Sequence, residues 1–183
     1  VAAFVILMLF VTFYKMRAYF KKKGIFMSYI DYIPVSGTIL NISRGNDCCS
    51  QMMSLRTEDG IVNFMVDSQT QIIDNRQLRT GMRVTAFYDG SLPVPLIFPP
   101  RYQARIIAVT GRNEQVMFGY FDRNLLAGDR SLQLNIGGNT NIETVNGQKF
   151  NCNPADRTLL VYYSVTTRSI PPQTTPSRII VFC

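Results

Sequence analysis

Histidine is absent from the 183 residues. That excludes Ser-His-Asp and Cys-His nucleophilic arrangements. It also removes the usual companion of cysteine in a zinc site, and no metal centre is expected. There is no Walker sequence and no GxGxxG, so nucleotide-dependent chemistry is unsupported and no cofactor is expected. Lysine is almost confined to one place: Lys149 is the only one after Lys23, and the remaining cations are arginines. The stretch holding Lys15, Arg17, Lys21, Lys22 and Lys23 contains no acid. Those five dominate the net charge of +7; from Met27 on, 14 basic residues face 12 acidic ones. A surface so balanced is not a nucleic-acid footprint, and nucleic acid is not an expected partner. Beyond Tyr32 the chain has no long amphipathic helical pattern.

What is present is a repeat. Val62-Asn63-Phe64-Met65-Val66 reappears as Leu132-Gln133-Leu134-Asn135-Ile136. Thr70 to Asp74 reappears as Thr140 to Thr144, and Val84 to Tyr88 as Leu159 to Tyr163. Ala104-Arg105-Ile106-Ile107 matches Ser177-Arg178-Ile179-Ile180. The order is kept, the apolar positions stay in phase, and the offset drifts only where loops fall. Each copy, about 70 to 75 residues long, is near the lower limit for an independent core. The joint Gly111-Arg112-Asn113 is short, so the two copies are expected to pack together.

The pattern within each copy is that of strands. Val35–Ile42 is rich in β-formers. Gln51–Thr57 and Ile61–Val66 flank Glu58-Asp59-Gly60, which reads as a hairpin. Asn75–Thr80 is long enough for one helical turn ended by Gly81, and Met82–Tyr88 is a further strand. Ser91–Tyr102 is a loop with Pro93, Pro95, Pro99 and Pro100, and Gln103–Thr110 closes the copy. The second copy repeats the plan from Gln115–Phe121 to Ser177–Phe182. Three strands, a helical turn and two more strands is the order of an oligonucleotide/oligosaccharide-binding (OB) barrel. The expectation is all-β: a tandem pair of small five-stranded OB-like barrels, over 35–110 and 114–183, with small β-sandwiches as the alternative. Val62, Phe64, Val66, Leu132, Leu134 and Ile136 should be buried.

Residues 1–26 stand apart. Val1–Tyr14 is almost wholly apolar and precedes the five cations, which suits an N-terminal helix able to anchor in a membrane, although the run is short of the ~20 residues a span requires. The positive-inside rule would then place the body in the cytoplasm. A second reading is upstream translation with the start at Met27, because Lys22–Met27 is encodable as a purine-rich ribosome-binding site followed by ATG. The body would then be cytoplasmic.

The proline loops are the best site candidates. Proline pre-orders a loop and lowers the entropy cost of binding. Phe98, Arg101 and Tyr102 in one loop, with Arg168 in its counterpart, are placed to stack on a ring or grip an anion. Against this, prolines also protect sheet edges and stiffen crossovers. Phe87, Tyr88, Tyr162 and Tyr163 form a candidate base-stacking platform, although alternate residues of a strand should face the core. The acids are scattered; Asp122 and Asp129 flank one short loop, a weak signal for a hydrolytic carboxylate pair. Cys48, Cys49, Cys152 and Cys183 are free thiols or candidate crosslinks, with a connectivity that the sequence leaves open.

Three segments carry a resemblance: Leu96-Ile97-Phe98-Pro99-Pro100-Arg101-Tyr102-Gln103-Ala104, Phe121–Leu126, and Thr167–Pro176. From Val35 to Phe182 the chain resembles an uncharacterised family of two-repeat β-proteins from spore-forming Firmicutes. Those proteins occur alone or beside cell-surface stalk domains. The resemblance implies an envelope or spore setting, so that a body starting at Met27 would be cytoplasmic or spore-associated, and no catalytic residues. The expected function is a non-catalytic structural or interaction module with a protein partner or self-association, not an enzyme. The alternative is an OB-like ligand-binding protein for single-stranded nucleic acid or glycan.

Overall fold

The computed structural model describes residues 32–93 and 96–183. The helix and anchor expected over residues 1–26 lie outside the described residues. Regular structure is almost all strand. The first half contains β1 (Tyr32–Arg44), β2 (Gln51–Arg56), β3 (Ile61–Val66), β4 (Gln71–Ile72), β5 (Arg83–Asp89), β6 (Arg101–Gln103) and β7 (Ile106–Val109). The second half contains β8 (Gln115–Phe121), β9 (Gln133–Leu134), β10 (Asn141–Thr144), β11 (Arg157–Tyr163), β12 (Gln173–Thr174) and β13 (Arg178–Phe182). No helix among the described residues is long and apolar enough to cross a membrane.

Local chemistry explains the turns. Between β2 and β3, Gly60 takes a φ of 129°, and its carbonyl accepts from both the amide and the hydroxyl of Thr57. Such a φ is open to glycine and strained for other residues. The helical turn expected over Asn75–Thr80 lies earlier, as a 3-10 turn at Ile73–Asn75. Asp74 and Asn75 both enter the left-handed region, and Arg76 is already extended. Short amide and carboxylate side chains tolerate that region best, so these two residues set where the turn falls.

The strands form a seven-stranded sheet in the order β4-β7-β5-β1-β2-β3-β6, a four-stranded sheet β10-β13-β11-β8, and a two-stranded sheet β12-β9; none closes on itself. The pairings of the first half recur in the second. Antiparallel β1/β5 and β5/β7 correspond to β8/β11 and β11/β13. Parallel β4/β7 and β3/β6 correspond to β10/β13 and β9/β12. The β1–β2–β3 ladder survives only as the bridges Phe121↔Ala127 and Leu126↔Gln133. Hydrogen bonds fix the equivalences. Gln71 N–H donates to Arg105 O as Asn141 N–H donates to Ser177 O. Arg105 therefore corresponds to Ser177, one residue away from the register that sequence matching gives.

Packing follows the two-residue period of strands. In β5, Val84 and Ala86 face the first core with Phe64, Ile39 and Leu55, while Phe87 faces the other way. In β11, Leu159 and Val161 face the second core with Phe121 and Leu134, while Leu160 and Tyr162 face the other way. The outward set meets in a middle layer: Phe87, Ile106 and Ala108 against Leu160, Tyr162 and Ile180. Phe118 joins it, edge-on to Tyr32, Phe87 and Phe182 at centroid distances of 5.1, 6.0 and 5.0 Å. Truncating a buried aromatic costs about 3–5 kcal/mol, so this layer is what makes the halves one compact unit.

Phe64, Val66, Leu132 and Leu134 are buried as expected, and Val62 is half-buried. Ile136 is not buried; it is 36% exposed. The reason is the shortness of β9. The regular strand ends at Leu134, with one last bond from Asn135 N–H to Thr174 O, whereas β3 continues to Val66 in its pairing with β2.

Candidate functional site

Aromatic and charged side chains gather around a groove where β5 ends and β6 begins. Asp89 closes β5 with an Asx turn: its Oδ1 accepts from the Ser91 amide at 3.0 Å and from the Ser91 hydroxyl at 2.6 Å. Those bonds hold the Asp89 carboxyl below its ordinary range, so it is ionised at neutral pH. The proline loop then returns to the sheet, where Pro100 O accepts from Asn63 N–H at 2.9 Å. This seats β6 beside β3 and sets Tyr102 opposite Phe64.

Tyr102 stacks on Tyr88 with centroids 3.9 Å apart and planes 14° from parallel. Both rings tilt against Phe64. Desolvation, then the contact with Tyr102, raises the Tyr88 phenol above its ordinary value, so it stays protonated. Gln103 Nε2 reaches Met65 O at 3.3 Å and Asp67 Oδ2 at 3.1 Å. Around the tyrosine pair is a groove of about 220 Å³, lined by Met65, Asp89, Arg101 and Gln103, with Leu92 and Pro93 on the loop side.

Arg101 and Tyr102 are thus brought together at one groove. Phe98 is not part of its lining; it projects from the loop, almost fully exposed. Arg168 is exposed in the second half's loop and does not line the groove. The four-residue aromatic platform does not exist: Phe87 and Tyr162 are buried in the middle layer, and Tyr88 is occupied by Tyr102. Asp89, Gln103 and Met65 were missed by sequence reasoning. Their only sequence signal is Asp89-Gly90-Ser91, a turn signature that gives no hint of a groove.

The other candidates fall elsewhere. Asp122 Oδ1 accepts from the amides of Asn124 and Leu126, and Asp129 Oδ1 from the amide and hydroxyl of Ser131. Both carboxylates serve turns. Cys48, Cys49, Cys152 and Cys183 are exposed and unpaired with one another. Arg44 Nη2 lies 3.1 Å from Cys48 Sγ at the tip of the β1–β2 hairpin. No group of three metal-ligating side chains occurs among the described residues. A wider cleft, about 490 Å³, lies between β4 and β10, but Gln71, Asn75, Thr144 and Asn146 give it neutral polar walls.

One cluster ties the halves together electrostatically. Arg178 Nε donates to Glu143 Oε1 at 2.6 Å, and its Nη1 donates to Asp74 Oδ2 at 3.0 Å; its Nη2 contacts both carboxylates. The guanidinium lies 5.4 Å from the Tyr162 ring centroid. Hydrogen bonding from Arg178 lowers the Asp74 carboxyl below its ordinary range. Burial raises the Tyr162 phenol well above its own, so it is neutral at any physiological pH. The cluster is a structural joint between the halves. Compared with known proteins, the chain matches no protein-family model and none of the curated proteins.

Proposed function

We propose that the chain is a non-catalytic structural module that assembles with further copies of itself through the tips of two matching loops. The observation behind this reading is that Phe98 and Ile170 are 95% and 99% exposed. They occupy the same place. Pro100 O, two residues after Phe98, accepts from Asn63 N–H; Pro172 O, two residues after Ile170, accepts from Gln133 N–H. Leu96 and Ile97 extend the first tip, and Val165 lies exposed at the start of the second loop. Large apolar side chains displayed together contribute nothing to folding and mark contact surfaces. Two tips per chain give two valences, which suits extended assembly rather than a single closed pair. The resemblance to two-repeat β-proteins of spore-forming Firmicutes supports an envelope or spore setting. Residues 1–26 would supply a membrane tether if translated, with the body cytoplasmic; a start at Met27 leaves it cytoplasmic or spore-associated.

Each half is further read as an OB-like barrel, and the pair as a duplication. Support comes from chain continuity: β3 runs into β4 across 67–70, and β6 into β7 across 104–105. The pairings β3/β6 and β4/β7 are then two parts of one strand pair, and the order returns through β5 to β1. The Ile73–Asn75 turn sits between the third strand and the fourth, where that fold has its helix.

Sedimentation velocity over a concentration series tests assembly. The wild type should show growing species, and the double variant F98D/I170D should remain monomeric with an unchanged melting temperature. A monomeric wild type at every concentration, or a double variant that associates normally, would refute the proposal.

A further inference from the structure

We propose that the Tyr88–Tyr102 groove binds the ring of an acidic sugar, a pyranose carrying one carboxylate. This goes beyond assembly through the loop tips and does not depend on it. The second half acts as an internal control. By the β3/β6 and β9/β12 pairings, Tyr102 corresponds to Thr174 and Arg101 to Gln173. Thr174 is buried and donates its hydroxyl to Val165 O at 2.6 Å; Gln173 Oε1 accepts from Asn135 Nδ2 at 2.9 Å. The same ladder therefore forms without an aromatic ring or a cation at these positions. In the first half the ring is stacked and the cation is unspent. Arg101 has no ion pair or hydrogen bond among the described residues. Asp89 Oδ2 likewise has no hydrogen bond there, both Ser91 bonds going to Oδ1.

The chemistry of the lining selects the ligand. About 220 Å³ is room for one ring rather than a drug-sized molecule, whose sites start near ~300 Å³. Tyr88 covers one face of Tyr102, so the C–H face of a saturated ring would meet the Tyr102 face turned away from Tyr88, since an aromatic face carries negative quadrupolar density. Arg101 offers a planar fork that matches a carboxylate. The free oxygen of Asp89 can only accept hydrogen bonds, and a sugar hydroxyl supplies the donor. Asp89 repels any anion, so the ligand's single carboxylate belongs at Arg101 and its hydroxyls at Asp89, and a phosphate monoester with nearly two charges is opposed more strongly.

The test is saturation-transfer NMR on the full chain with D-glucuronate, D-glucose and deoxyadenosine monophosphate as separate probes. Glucuronate should receive saturation, strongest on the protons of one ring face. R101Q and Y102T, which install the second half's residues, should each weaken it by about tenfold or more, the loss of roughly one good interaction. R101Q changes an exposed side chain and should melt like the wild type, so a loss there is not unfolding. F98D/I170D should bind glucuronate normally, which separates failure of this groove from failure of the tips. No transfer to glucuronate, glucose bound as well as glucuronate, preference for the nucleotide, or binding unchanged in both R101Q and Y102T would each overturn the proposal.

Discussion

Replacing Arg178 by methionine keeps the aliphatic stem and removes the charge that joins the halves. Glu143 has a side chain only 14% exposed, against 26% for Arg178 and 39% for Asp74. Removing one partner from a buried pair costs about 3–5 kcal/mol, because the other charge is left stranded. Exposed pairs are worth about 0–1 kcal/mol. Glu143 lies near the first limit and Asp74 near the second, since solvent screens it. The expected loss for R178M is therefore about 2–3 kcal/mol, including a few tenths from the Tyr162 ring contact. For a unit of this size that lowers the melting temperature by about 5–10 °C. D74N isolates the screened partner, because asparagine keeps the left-handed backbone. It should cost under about 1 kcal/mol at pH 7. The folded state depresses the Asp74 pKa below an ordinary 3.8. Its contribution is therefore complete above that value and is lost as pH falls through the folded one. Wild type and D74N should converge in stability once the pH has fallen through that depressed value. Thermal unfolding followed by circular dichroism at pH 7 and across the acid range measures all of this. An R178M protein within about 0.5 kcal/mol of wild type, or a D74N as damaged as R178M, would show that burial of Glu143 does not govern the joint.

Two further outcomes are expected. A Cβ at Gly37 would lie 2.6 Å from Arg56 O, whereas at Gly119 the nearest atom is Met117 Cε at 3.8 Å. G37A should cost upwards of about 1–3 kcal/mol and G119A under about 0.5, and equal costs in denaturant melts would mean the β1–β2 approach is not the constraint. All four thiols are exposed, so the reduced, native protein should react with a thiol reagent to four equivalents without denaturant. Fewer would place one of them in a protected site.

Local patterns were legible and long-range ones were not. Gln115–Phe121 is read correctly as the strand that opens the repeated plan, and the β2–β3 hairpin from its Asp-Gly turn. The break between β6 and β7 was invisible, because Gln103–Thr110 looks continuous; Arg105 N–H turns aside to Phe87 O, a partner no local pattern reveals. Ile136 kept its phase while β9 ended beneath it. In the groove, Arg101 and Tyr102 were found because a proline loop draws attention to its flanks. Asp89 was missed because strand pairing, not sequence proximity, brings it there, and Gln103 because it was read as the start of the closing strand rather than as part of the site. Phe87 and Tyr162 looked like a surface platform because an apolar run does not say which of two cores it faces.

The middle layer has one more consequence. By the strand pairings, Ile73 and Ile106 in the first half stand where Glu143 and Arg178 stand in the second. A homodimer built through this face would have to use one sequence twice, and an ion pair on one side would be matched by an ion pair on the other. Two halves of one chain are free of that constraint. One side keeps isoleucines and the other acquires a charged couple that reaches back to Asp74. The same freedom lets the first half carry stacked tyrosines where the second has Thr174 in place of Tyr102.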